Sequence, residues 1–304
     1  EALTTQWLSV PATTDVERCL EQLQTRIDGQ PEGGFRVLEL ARHAQKLKRG
    51  WHVANRFNIR VRSDVSVEAA RARAEALCRT GIPNYFGPQR FGRGGANLQG
   101  ALSMLERPER RLRRAVRGFY LSAARSLIFN AVLARRVCDG SWSRILPGEC
   151  VCLSSTGSYF TLDDPDDPAS IARLPGAGGG SRFTLDERLQ RFEIHPSGPL
   201  WGMGVPFSRA DAQRLELNVV AEHPGFRRLL QQARMRHERR PLRLRIPAMS
   251  VAQVAPGTLE CGFELDSGAF ATVVLQAIFA LDSAASGVRL QSGNGEASGV
   301  VGPD

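Results

Sequence analysis

GIPNYFGPQRFGRGGANLQG, residues Gly81 to Gly100, concentrates three aromatics (Tyr85, Phe86, Phe91), two arginines (Arg90, Arg93), carboxamides that include Asn84, Gln89 and Asn97, and a cluster of glycines in one short segment. That mixture suits a nucleobase site. Aromatic faces stack a base that has left its duplex, amides read its polar edge, and arginines with backbone N–H groups hold phosphates. The same composition fits a glycine-rich loop with core aromatics on either side, so the segment takes its meaning from what surrounds it.

Immediately upstream, Asp64 or Ser66 caps a predicted helix from Val67 to about Thr80, with Ala70, Ala74, Leu77 and Cys78 facing inward and Gly81 as its stop. Before that lies Asn55 to Arg62, the clearest alternating strand. Phe57, Ile59 and Val61 point one way and Arg56, Asn58, Arg60 and Arg62 the other. The cationic face is either a support for RNA or a charged edge protected from aggregation. Downstream, Pro83, Gly87 and Pro88 make Pro83–Phe91 a loop or short strand. The turn Gly92–Asn97 then feeds a helix, Ala96–Leu105. A glycine-rich turn entering a helix exposes unpaired N–H groups and is a ready anion site, but it lacks the G-K-[ST] ending of a nucleotide P-loop.

Next comes an arginine run, Arg107, Arg110, Arg111, Arg113, Arg114 and Arg117, leading to a predicted helix at Tyr120–Val137. It reads either as a polyanion footprint or as a solvated linker. Charge over the whole chain leans the same way. Residues 1–106 carry 15 basic and 11 acidic side chains, residues 107–241 carry 22 and 14, and residues 242–304 carry 3 and 6, within a total of +9. All but two of the basic residues are arginine, the better residue for forked phosphate contacts.

At 304 residues the chain exceeds the usual single-domain size. No apolar run is long enough to cross a bilayer and nothing resembles a signal peptide, so a soluble cytoplasmic protein is expected. Six scattered cysteines without a C-x-x-C pair, and five histidines away from zinc-ligand spacing, predict free thiols and no metal site. The remaining pattern gives a capped helix at Val16–Ile27, a strand at Phe35–Leu40, and turns and short strands over Gly140–Phe160. A loop follows at Leu162–Ser181, a helix at Thr184–Phe192, and a turn-rich loop at His195–Gly204. Helices are predicted at Arg209–Ala221 and His223–Glu238, a return to strand at Leu242–Ile246, a strand at Leu259–Leu265, and a buried helix at Phe270–Leu281.

Three of these segments together resemble one family. NYFGPQRFGRGGANLQGA (Asn84–Ala101) is similar to the signature of the TruD family of tRNA pseudouridine synthases, LSAARSLIFN (Leu121–Asn130) to the segment that follows it, and GAFATVVL (Gly268–Leu275) to the family's C-terminal strand-to-helix motif. Weaker echoes are ANRFNIRVR (Ala54–Arg62), LPG (Leu174–Gly176), PSGPLWG (Pro196–Gly202) and RRPLRL (Arg239–Leu244). The resemblance implies an α+β fold, a pseudouridine synthase core of mixed, largely antiparallel sheet with flanking helices, interrupted by a family-specific inserted α/β domain. The core would occupy residues 1–106 and 242–281 and the insertion 107–241, with a disordered tail at 282–304. It implies isomerisation of uridine 13 in the D arm of tRNA, without metal or organic cofactor, by a protein for which a monomer is favoured.

By the same resemblance Phe86 packs against the target uracil, Asn84 positions neighbouring polar groups and Phe270 lines the pocket from the other side. Arg90, Arg93, Arg110, Arg111, Arg113 and Arg114 are the RNA-binding candidates, in a cleft between core and insertion. The family's catalytic aspartate lies in a G-x-K-D-x-x-A-x-T-x-Q pattern. Ala2, Thr4 and Gln6 match its end, which puts that aspartate two residues before Glu1 and implies a chain lacking its N-terminal part. Gln276 and Ala277 stand where the family usually has an Arg-Glu pair. A noncatalytic tRNA-binding or RNA-folding-assistance protein derived from the family is the alternative.

Overall fold

The computed structural model describes residues 4–11, 15, 18, 37–48, 52–107, 111–154, 156–162 and 183–279. The chain divides into two units, Glu1–Ala54 and Asn55–Asp304. In the first, the described residues are mostly irregular; Thr4 and Gln6 are exposed. Ala2 and nearly all of the expected helix Val16–Ile27 lie outside the described residues. At Asp15 and Arg18 the Asp15 Oδ1 accepts from the Arg18 N–H (3.0 Å), the cap bond that an aspartate before a helix supplies. The strand expected at Phe35–Leu40 is not formed at residues 37–40, which are all exposed. Apolar residues alone do not make a strand where no described neighbour takes up the backbone groups.

In the second unit the alternating segments form as expected. Strand β1 (Ala54–Arg62) lies at the edge of a three-stranded sheet beside β9 (Thr258–Asp266), which pairs antiparallel with β8 (Met249–Ala255). The outward arginines of β1 are matched across the strands, Arg56 to Glu264 (2.7 Å) and Arg60 to Glu260 (2.8 Å). At these two positions the face that reads as cationic in β1 alone is therefore a ladder of alternating charge. The inward face carries Val61, Val251, Leu259, Cys261, Phe263 and Leu265. Helix α1 (Val67–Thr80) packs on β8 with Ala70 and Ala74 buried, and its N-cap is Ser66, whose Oγ accepts from the Ala69 N–H. A short pair, β2 (Ile82–Pro83) with β7 (Arg243–Leu244), joins the segment after α1 to the returning chain.

Helix α2 (Ala96–Glu106) matches its expected position, whereas α3 (Arg114–Cys138) begins six residues before the predicted Tyr120. Arg114 and Arg117 thus belong to the first turns of a helix. Arginine is a good helix former, and the apolar stripe of α3 needs no strong cap to start. One face of α3 meets α2 and α6 (Pro224–Gln232) around Leu121, Ala124, Ile128, Trp201 and Leu230.

Another face of α3 meets a four-stranded sheet of order β4 (Tyr159–Thr161), β3 (Cys150–Leu153), β5 (Ile194–Leu200), β6 (Glu238–Pro241). Here expectation and structure part. The segment His195–Gly204 reads as a loop, yet His195–Leu200 belongs to β5, a buried inner strand. Its small residues are required by what crosses it: a Cβ on Gly198 would lie 2.8 Å from Leu242 Cδ2 and 2.9 Å from the Phe129 ring. The helix expected over His223–Glu238 ends at Gln232. The chain turns through Arg234, at φ 51°, so that Glu238 can begin β6. Helix α4 (Leu185–Gln190) opens on a Thr184–Glu187 capping box, as its sequence position demands. Helix α5 (Ala210–Ala221) supplies the buried Glu216, which takes both ends of the Arg239 fork (2.7 and 3.0 Å) and a bond from Ser208 (2.6 Å). Arg239 also donates to Ser197, tying α5, β5 and β6 together. Residues 163–182 and 280–304, with the expected loop and tail, lie outside the described residues.

Candidate nucleotide site

Asn84–Phe91 leaves β2 and folds over an apolar cluster of Phe86, Phe91, Ala123, Phe129, Leu133 and Leu242. The backbone at Phe86 is fixed by one side chain of α3. Asn130 Oδ1 accepts from the Phe86 N–H (2.9 Å) and its Nδ2 donates to the Phe86 carbonyl (3.0 Å), so the carboxamide completes both backbone groups as a neighbouring strand would. The Phe86 ring meets Phe129 edge-on, with centroids 5.4 Å apart, and Phe270 at 5.8 Å and 67°. Phe270 stands just before α7 (Ala271–Phe279). Phe86 and Phe270, distant in sequence, are therefore the two aromatic walls of one corner.

Asn84 is buried. Its Nδ2 donates to the Pro241 carbonyl (2.9 Å) and its Oδ1 accepts from Arg240 Nη2 (2.6 Å). The same Nη2 lies 3.1 Å from the Gly268 carbonyl, and the Arg240 guanidinium sits 4.2 Å from the centre of the Phe86 ring. Arg90 approaches from the signature segment itself. Its guanidinium lies 5.3 Å from the Phe86 centre and 5.6 Å from the Phe270 centre, and it donates to Ser122 Oγ (3.0 Å). Its carbonyl accepts from Asn97 Nδ2 (3.1 Å), pinning the loop to the start of α2. Burial pushes Arg90 below the usual guanidinium range. Burial, and then the positive charge of Arg90, pushes Arg240 down to about 10.

The corner thus combines two aromatic rings, a carboxamide with a single anchored orientation and two cations. Arrangements of this kind can take a flat, polar-edged base together with an anion. The family model described as tRNA pseudouridine synthase D (TruD) matches residues 1–102 and 95–278. The chain belongs to this family. It is 37% identical over 282 residues to the tRNA pseudouridine synthase D of Methylococcus capsulatus, covering 92% of this chain and 73% of that one. With the proteins of the same name from Pseudomonas aeruginosa and Pseudomonas putida it shares 38% identity, over 92% and 93% of this chain and 73% and 74% of theirs. Among solved structures, a putative tRNA pseudouridine synthase D from Methanosarcina mazei superposes with a TM-score of 0.56 at 18% identity, over 85% of this chain and 76% of that one, a likeness of fold.

Within this TruD member, Asn84, Phe86, Phe270 and Arg90 lie around one corner. Arg93 is exposed in the turn before α2, where Gly92, Gly94 and Gly95 all take positive φ, and Arg111, Arg113 and Arg114 are exposed ahead of and at the start of α3. Arg110 lies outside the described residues. Gln276 is half-buried and Ala277 exposed on α7. Sequence reading missed Asn130 and Arg240 as parts of the site. Asn130 ends the quoted LSAARSLIFN, and a carboxamide closing an otherwise apolar stretch is the signal that could have found it. Arg240 sits among many arginines and carries no local mark.

Proposed function

We propose that this protein converts uridine 13 in the D arm of tRNA to pseudouridine. Family membership supports a tRNA pseudouridine synthase, and the meeting of Asn84, Phe86 and Phe270 at one corner is the observation that carries the substrate reading. The target base is extruded and its lost stacking is replaced by the two phenylalanine rings. Asn84 presents its carboxamide to the polar edge of the uracil. The C1′–N1 bond breaks, the base turns, C1′–C5 forms, the C5 proton leaves to water and N1 gains a proton, so atoms balance without oxidant or cofactor. The nucleophile or base of this reaction is the aspartate of the family's G-x-K-D pattern.

Release of tritium from [5-³H]uridine tests this directly. Protein carrying that aspartate is expected to release one tritium per tRNA and none from tRNA with cytidine in place of uridine 13. Tight, salt-dependent tRNA binding without release would instead favour a noncatalytic RNA-binding role. Release that persists from the cytidine-13 tRNA would overturn the position.

A further inference from the structure

Two guanidinium groups meet at the Phe86 ring, and among the described residues no carboxylate lies between them. Among the described residues neither Arg90 nor Arg240 has an ion-pair partner, and the Nε of each is buried without a hydrogen-bond acceptor. Other buried arginines are held in two ways, Arg243 by the Thr80 and Leu189 carbonyls (2.7 and 2.9 Å) and others by carboxylates. Buried Arg136 is matched by Glu149 at 2.6 Å, and buried Arg239 by Glu216 at 2.7 Å. Holding two cations close together and partly out of water costs free energy unless an anion joins them. Among the described residues, the carbonyls, Ser122 hydroxyl and aromatic faces around the pair are neutral and supply no counter-charge.

We infer that Arg90 and Arg240 form the binding site for one phosphodiester of the RNA, the one attached to the nucleotide whose base enters beside Phe86 and Phe270. The inference rests on the pseudouridine synthase reading and adds to it the second arginine and the ligand. A phosphodiester has two charged oxygens and can accept from two guanidinium forks at once. The aromatic walls stand within one nucleotide's reach of both forks. Arg240 also covers the Phe86 ring and occupies Asn84 Oδ1. Its movement toward a phosphate frees the ring face and leaves Asn84 Oδ1 to accept from the uracil N3–H. Phosphate binding and base entry are thereby one event.

The test uses the full protein and D-arm RNAs in which the phosphodiester on the 5′ or the 3′ side of the target uridine is a neutral methylphosphonate. Affinity is read for the wild type, R90Q and R240Q. At one of the two positions the neutral linkage is expected to weaken wild-type binding by about tenfold or more, the worth of a charge-assisted bond. Each variant is expected to bind natural RNA correspondingly more weakly and to lose most of its sensitivity to that linkage. Indifference of the wild type at both positions overturns the proposal, and this arm needs no variant to fold. So do losses that simply multiply, or an R240Q protein that loses turnover while keeping both its affinity and its sensitivity, the behaviour expected if the pair served a protein carboxylate. Because affinity is measured, a wild type that binds as expected but releases no tritium would overturn the synthase reading and leave the phosphate site standing.

Discussion

His195, on β5, shows how a single buried side chain sets a pH limit on the fold. Its Nε2 lies 2.8 Å from Ser154 Oγ, and that hydroxyl is itself donated to the Phe192 carbonyl, so Nε2 is the donor. Nδ1 is then an unprotonated, buried acceptor without a partner among the described residues. Burial, followed by the charges of Arg243 and Arg245, pushes the imidazole down to about 4. The unfolded chain therefore binds the extra proton first as pH falls, and stability that is fully present above about pH 6.5 is lost on the way down to about pH 4. A shift of this size corresponds to on the order of 3 kcal/mol. H195Q, which keeps a donor toward Ser154, is expected to lose less stability between neutral and mildly acid pH than the wild type. Urea unfolding at both pH values measures the difference, and an equal loss in the two proteins would show that other groups carry it. Nothing in HPSGPL announces this histidine as buried. Its environment comes from Arg243 and Arg245, remote in sequence, and from Phe192 three residues away.

Elements were legible where one face decides them. The alternation of β1 and β9 and the periodicity of α1 and α2 follow from burying one side of a sheet or helix, and their boundaries fall within a few residues of those read from the sequence. β5 was not legible, because its two prolines and Gly198 are turn formers by local preference and become a strand only through partners on both sides. Gly198 measures that tertiary demand. G198A is expected to cost about 1–3 kcal/mol, since the new methyl meets Leu242 and the fully buried Phe129 ring. Gly118 is the opposite case, an exposed position in the first turns of α3 with open space around its missing Cβ. G118A is expected to stabilise by about 0.5–1 kcal/mol, because alanine loses less chain entropy in a helix. Chemical denaturation of the two variants should move the midpoint in opposite directions. A midpoint raised by G198A as well would mean that the crossing at Gly198 is looser than its distances indicate.

At the scale of the molecule, the signature segment supplied Asn84, Phe86 and Arg90, but only the fold brings Phe270, Asn130 and Arg240 to them, and periodicity holds no information on that meeting. Charge reads differently again. The arginines of β1 look like an RNA face in sequence and are in part consumed by Glu260 and Glu264. Arg111, Arg113 and Arg114 are exposed, and among the described residues none of them has an ion-pair partner. A polyanion is therefore expected to find its counter-charge at the latter group and not along β1. Replacing all three by glutamine should weaken tRNA binding, with the slope of log K against log salt becoming shallower by about 2–3, close to one unit per lost phosphate contact. Replacing Arg56 and Arg60 should change that slope by less than about one unit, since the glutamates already screen them. Both are measured by filter binding over a salt series. Because phosphate contacts carry no sequence information, the triple variant should lose affinity equally for natural tRNA and for tRNA with cytidine at position 13. A loss confined to the natural tRNA would place these arginines at the base pocket instead.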